Sequence, residues 1–330
     1  MSSLPCHGDG VLGKASMQCL SEFVANPQTS RRPHACTRQS STAGEPMVGR
    51  AGTTHLWVLI EHPGPWPASA PDDVLPVALT EKIYAAQGRI RLVVIRRPRN
   101  RRVLTPTCVL AWTDGTRQWM REGSVDRYED LSVLPFESMA AGVEPDFGRS
   151  RTEPLFAVCT HGKKDACCAE LGRPVVSALD VAGIADVWEC SHIGGDRFAA
   201  NMIAWPAAVY FSRLDGDSAT DAVEKYLNGE LAVTHLRGRA ALSQAAQAAE
   251  HAVRRATDIV ATDALESITE SITESVDGER TTVDLRLEER DFRVVVRPGP
   301  PGQPFRHDCG SGGTVEWSGW TVEHLLEQPH

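Results

Sequence analysis

The stretch LFAVCTHGKKDACCAE, residues 155 to 170, constrains this chain more than any other. An apolar run ends at Cys159, a polar loop with Gly162 follows, and a helical pattern begins behind Asp165, a candidate helix cap. A strand, loop and helix in that order place Cys159 at the carboxyl end of the strand and Cys167 and Cys168 in the first helical turn. All three then face one loop crevice. Unpaired amides and the helix dipole favour the thiolate that a metal or a nucleophilic reaction requires. The plainer reading is apolar cysteines in a core, and three cysteines within ten residues weigh against it.

A second loop lies one strand further on. ADVWEC reads as a strand ending at Cys190, and S-H-I-G-G-D-R follows, with His192 and Asp196 four residues apart around Gly194 and Gly195. The glycines let the loop fold back and present both side chains to one ion or cluster. The chain has nine cysteines, an odd count, and Asp9 and Gly10 stand where a secretory signal would be apolar. That pattern fits reduced thiols or metal ligands in the cytoplasm better than a disulfide framework. A formal charge of -9 and a pI near 5.7 exclude the basic field of a nonspecific nucleic-acid binder. No apolar run approaches the roughly 18 residues of a membrane helix, so neither nucleic acid nor membrane is an expected partner.

Periodicity divides the 330 residues into four parts. Residues 1–48 mix Gly, Ser, Pro and scattered charge and read as a poorly ordered leader contributing little core. In 49–150, HLWVLIE, RIRLVVI and PTCVLAW read as strands and DDVLPVALTEKIYAAQG as a helix, giving an α/β domain. Residues 151–236 repeat the order with LFAVC, a helix over 166–179 that Pro174 should kink, ADVWEC, AAVYFSRL, and a helix TDAVEKYLNG with Thr220 as cap and Gly229 as stop. The recurrence suggests an architectural repeat without a shared motif. Residues 237–330 begin with an Ala-rich helix to about Thr257 and continue into ESITESITES, where Ile268 and Ile272 suit one helix face. The strands VDLRLEE and DFRVVV and a Pro/Gly-rich tail complete a small appendage.

The motifs CTHGKKDACCAELGRP and WECSHIGGDRFAAN, with AGEPMVG and WVLIEHPGPW upstream and the Cys309-Gly310 pair near the end, resemble the sucrase/ferredoxin-like family. The resemblance implies a thioredoxin-like ferredoxin domain carrying a [2Fe-2S] cluster. It implies a C-x8-C pair of ligands, here Cys159 and Cys168, and an H-x3-H pair whose first member is His192. The second histidine position is Asp196 in this chain. Asp196 is then the candidate fourth ligand, with Cys167 and Cys190 as alternates. A diferric core with two thiolates, one imidazole and one carboxylate is more negative than one with two imidazoles, so its potential should fall between the all-Cys and His2Cys2 extremes. The expected function is one-electron transfer between redox partner proteins, as a carrier rather than a catalyst. Two other readings stand beside it: a thiol-disulfide or thiol-peroxidase enzyme using Cys167 or Cys168, and a binding module with zinc at Cys159, Cys168 and His192. C-x-x-C is absent, which weakens the first of these.

Other residues draw lesser expectations. His161 suits a hydrogen bond to a cluster sulfur, and Arg197 an ion pair with Asp196 or a docking charge. Arg96 to Arg102 read as a basic turn, Trp188 and Phe198 as core, and PGPWP around Trp66 as a rigid surface turn.

Overall fold

A computed structural model describes residues 30–32, 35–99, 102–275, 278–306, 308–310 and 313–329. The expectations for residues 1–29, including Cys6 and Cys19, lie outside the described residues. The elements in chain order are α1 (Cys36–Thr42), β1 (Leu56–Glu61), α2 (Val77–Ala85), β2 (Ile90–Arg96), β3 (Thr107–Thr113), β4 (Gln118–Ser124), α3 (Phe136–Ala140), β5 (Arg149–Ser150), β6 (Leu155–Cys159), α4 (Ala166–Val181) and β7 (Val187–Cys190). They continue with β8 (Met202–Trp205), β9 (Val209–Phe211), α5 (Gly216–Leu227), β10 (Leu236–Arg239), α6 (Gln244–Thr257), β11 (Leu265–Ser275), β12 (Gly278–Leu287), β13 (Arg290–Pro301), β14 (Phe305–Arg306), β15 (Thr314–Val315) and β16 (Ser318–Glu327).

The mixed α/β class holds, and the strands of both expected α/β parts join in one ten-stranded sheet of order β10-β9-β8-β6-β7-β2-β1-β3-β4-β5. Each half is wired alike. β1, α2 and β2 form a parallel crossover, with β3 antiparallel to β1 and β4 antiparallel to β3. β6, α4 and β7 form the second crossover, with β8 antiparallel to β6 and β9 antiparallel to β8. The halves meet where β2 pairs antiparallel with β7, Ile95 opposite Cys190 and Arg96 opposite Glu189. The central strands β1 and β6 are buried along their whole length, which explains continuous apolar runs instead of alternation.

Four expectations give way. β4 and β8 were absent from the sequence reading because QWMREGS carries charge and MIAW is short and directly follows a loop. Around Cys36 the chain forms α1, and Cys36, Thr37 and Ser40 are buried, so this part of the expected leader belongs to the core. Asp215, not Thr220, caps α5: its carboxylate accepts from Ser218 N, and Thr220 Oγ1 donates back to Gly216 O inside the helix. ESITESITES forms β11 instead of a helix, paired along its length with β12. Ile and Thr are β-branched and gain from a pleated surface with a partner, and residues four apart share a strand face as they share a helix face. Helix α4 continues through Pro174 to Val181.

The C-terminal sheet, β11-β12-β13-β16, packs on α6. A buried ion triad ties that helix to β10, with Glu250 Oε1 accepting from Arg239 Nε of β10 at 2.8 Å and from Arg254 Nε at 3.0 Å. All three side chains are at most 2% exposed. Removing the carboxylate leaves two buried cations facing each other. Glu250→Gln is expected to lower stability by about 3 kcal/mol, measured by denaturant unfolding. Asp284→Asn, which breaks an exposed pair with Arg293, should leave the unfolding midpoint nearly unchanged.

Candidate metal centre

The site begins with the end of β6. Cys159 is in register with Cys190 on parallel β7, so both strands end together, and their loops emerge on one side. Cys159 N donates to Asn201 O, and Thr160 N donates to Cys190 O, fixing the strand ends. Helix α4 starts immediately over this edge because Asp165 accepts from Cys167 N at 2.7 Å. It sits close enough that a Cβ on Gly172 would come within 2.2 Å of Cys159 O. Only glycine permits that approach.

The first turn of α4 then divides its two cysteines. Cys168 faces Cys159 and His192, and these three offer ligand atoms all within 4.8 Å of one another. Asp196 does not belong to that group, but its Oδ1 lies 2.9 Å from His192 Nδ1 and 3.4 Å from Cys168 Sγ. Cys190 hydrogen-bonds Cys159 from the adjoining strand. Cys167 turns the other way, its Sγ 3.6 Å from Cys36 Sγ and 3.3 Å from Cys309 Sγ. As an alternate ligand for the first group it therefore gives way to Cys190.

Burial and mutual hydrogen bonding set the charge. Cys159, Cys168 and Cys190 are each at most 1% exposed. Hydrogen bonds from Cys168, Cys190 and His192 hold Cys159 well below the usual thiol range, overcoming the cost of burial. The Cys168 thiol is pushed up by its hydrogen bond to Cys159 and by burial, and Cys190 by burial and its own bond to Cys159. Burial opposes charge on His192, but the Asp196 carboxylate, 2.9 Å from Nδ1, and the Cys159 sulfur outweigh it and raise its pKa to about 9. The group is thus a soft set of sulfur atoms with imidazole beside it, in which the neighbours favour charge on Cys159.

The loop carrying His192 is held by four side chains the sequence reading did not name. Arg91 donates to His192 O, Tyr210 to Ile193 O, Arg237 to Gly194 O and Asn201 to Gly195 O. Each carbonyl from 192 to 195 is therefore satisfied, three from strands of the sheet and the last from Asn201 just before β8. Asn201, closing WECSHIGGDRFAAN, was the one legible signal.

Several lesser expectations are corrected here. His161 Nδ1 accepts from His192 N at 3.2 Å, which leaves Nε2 as the protonated nitrogen donating to Pro67 O at 2.8 Å. Both ring nitrogens are spent on backbone, so His161 positions the loop and does not face a sulfur. Arg197 pairs with Glu45, not with Asp196. Trp66 is 4% exposed, with Arg96 stacked 3.9 Å above its ring, so PGPWP is partly core. Trp188 and Phe198 are buried as expected. In the basic turn, Arg96, Arg97 and Arg99 pair with Glu189, Asp186 and Asp180, while Asn100 and Arg101 lie outside the described residues.

A family model described as sucrase/ferredoxin-like matches residues 47–238, more than half of the chain and all of the group around Cys159. Comparison with curated proteins and with solved structures returned no match. No helix among the described residues is long and apolar enough to cross a membrane.

The loop geometry generates a test. At Gly195, φ is +80° and an added Cβ would fall 2.2 Å from Arg237 Nη1, whereas Gly229 has φ +79° with nothing within 4 Å. Gly195→Ala and Gly229→Ala share the backbone penalty of about 1 kcal/mol, but only the first displaces the Arg237 clamp. Gly195→Ala should lose clearly more stability in denaturant titrations and should also deplete metal bound at Cys159. Equal losses from the two variants would show that the clamp is dispensable.

Proposed function

The chain belongs to the sucrase/ferredoxin-like family, and from that premise we propose that it is a one-electron carrier holding a [2Fe-2S] cluster between β6, the start of α4 and the loop after β7. The observation that carries the proposal is the convergence of Cys159, Cys168 and His192 in one buried group. Two thiols and an imidazole suit the soft, mixed ligation of such a cluster, and Cys159 is already held toward thiolate by its neighbours. When bound, the cluster supplies reversible uptake of one electron. Cys159 and Cys168 hold it, His192 offers a ring nitrogen, and Asp196 is proposed as the fourth donor while fixing the orientation of His192 through Nδ1.

The order β7-β6-β8-β9, with the α4 crossover and α5 following, supports a thioredoxin-like reading of the second half, and β2-β1-β3-β4 supports the same reading of the first. Residues 49–150 and 151–236 are proposed as these two units, although one sheet runs through both. Redox partner proteins are proposed to approach beside His161, where a cleft of about 480 Å³ is lined by Trp66, Arg96, Lys163 and Arg173. Seven free cysteines among the described residues support residence in a reducing compartment, the cytoplasm. A thiol enzyme is less well supported: Cys167 and Cys168 are at most 1% exposed, and the Cys167 thiol is pushed up to about 11 by its hydrogen bond with Cys309 and by burial.

Ligand variants test the assignment. Cys159→Ser and Cys168→Ser should each abolish or strongly deplete iron, while Cys108→Ser, remote in the core of the first half, should retain it. Asp196→Ala should make the cluster labile. Asp196→His replaces an anion with a neutral imidazole and should keep the cluster with a potential raised by on the order of 100 mV, read by voltammetry. An intact cluster of unchanged potential in Asp196→Ala would remove Asp196 from the ligand set and favour Cys190.

A further inference from the structure

On the opposite side of the first turn of α4, three sulfurs from distant parts of the chain form a nearly equilateral triangle. Cys36 Sγ lies 3.6 Å from Cys167 Sγ and 3.6 Å from Cys309 Sγ, and Cys167 Sγ lies 3.3 Å from Cys309 Sγ. Asp165 completes the group, with Oδ2 and Oδ1 at 3.6 and 3.8 Å from Cys36 Sγ. All four offer a ligand atom within 4.8 Å of one another. We propose that Cys36, Cys167 and Cys309, with Asp165 as fourth donor, form a second metal site that binds one structural zinc ion.

The spacing argues for a single ion. Zinc-sulfur bonds of about 2.3 Å in a tetrahedron place sulfurs about 3.8 Å apart, slightly wider than the triangle here. A cluster of several irons would spread its cysteine ligands over separate metal atoms, and a disulfide would join two sulfurs and strand the third. The carboxylate has capacity left for a metal. Asp165 accepts one backbone N–H on each oxygen, from Cys167 and from Cys309, both at 2.7 Å, out of about four lone-pair positions.

The surroundings suit an anionic centre. Zinc displaces three thiol protons to water, and three thiolates with one carboxylate give the occupied site a formal charge of two minus. Arg32 Nη2 lies 3.6 Å from Cys167 Sγ and 3.9 Å from Cys309 Sγ, Thr37 Oγ1 lies 3.4 Å from Cys167 Sγ, and the positive end of α4 points at the group. Cys36 and Cys167 are fully buried. The three cysteines come from α1, α4 and the tail after β14, separated by 131, 142 and 273 residues. A metal there staples α1 and the segment after β14 to the helix that carries Cys168.

The proposal is independent of iron at Cys159, and zinc and iron are counted separately in its test. Full-length protein purified from zinc-containing medium should hold one zinc per chain by elemental analysis. Cys36→Ser and Cys309→Ser should each lose that zinc with iron unchanged. Because Cys36 lies in the core and its replacement can disturb folding, Cys309→His serves as a second variant and should retain zinc through its imidazole. Cobalt loading of the unmutated chain should give a thiolate-to-cobalt absorption band that Cys309→Ser largely removes. Zinc surviving both serine variants, a natively folded protein from zinc-containing medium that holds no zinc, or a Cys167–Cys309 disulfide in peptide maps would each overturn the proposal.

Discussion

Asp165 is the carboxylate on which both thiol groups depend. It is 2% exposed, and burial pushes its pKa up to about 6. Its work is to stop the loop after β6 and start α4, accepting from Cys167 N, and to receive the returning tail through Cys309 N. Once the helix starts there, Cys167 and Cys168 must leave its first turn on different sides. One then joins Cys36 and Cys309, and the other joins Cys159 and His192. Moving the start of α4 by one residue would break both groups together.

The first half of the sheet supports the group at Cys159 without contributing a ligand. Its only cysteine is Cys108, which is buried among apolar side chains. What it contributes is an edge. β2 pairs with β7, Ser191 N donates to Val94 O, Val94 N donates to Ser191 Oγ, and Arg96 reaches Glu189, which also accepts from Thr160. The loop that carries His192 therefore leaves a strand locked on both sides. Its carbonyls are met by Arg91 from β2, Tyr210 from β9 and Arg237 from β10.

Much of the site was legible because its determinants are local. Cys159 at a strand end, Asp165 as a cap and the Gly-Gly loop behind Cys190 are all short-range patterns, and the structure assembles them as spacing suggested. The apolar strands β1, β2, β3 and β6 were legible for the same reason. What escaped depends on long-range pairing. β11 reads as either element until β12 lies beside it, and α1 has no periodic signal because it is held by burial of Cys36 and Ser40, not by its own amphipathicity. The triangle of Cys36, Cys167 and Cys309 was equally hidden: only folding brings Cys36 and Cys309, far away in the chain, beside Cys167. The Cys309-Gly310 pair was noticed by resemblance, without a role.

The central claim is that the group at Cys159 holds a two-iron cluster. The most direct measurement is quantification of iron and acid-labile sulfide in anaerobically purified full-length protein, together with its visible spectrum and the paramagnetic resonance of the reduced form. The account predicts a brown protein with about two irons and two labile sulfides per chain and a signal on one-electron reduction. Colourless protein whose only metal is zinc, with no labile sulfide after anaerobic purification, would contradict it.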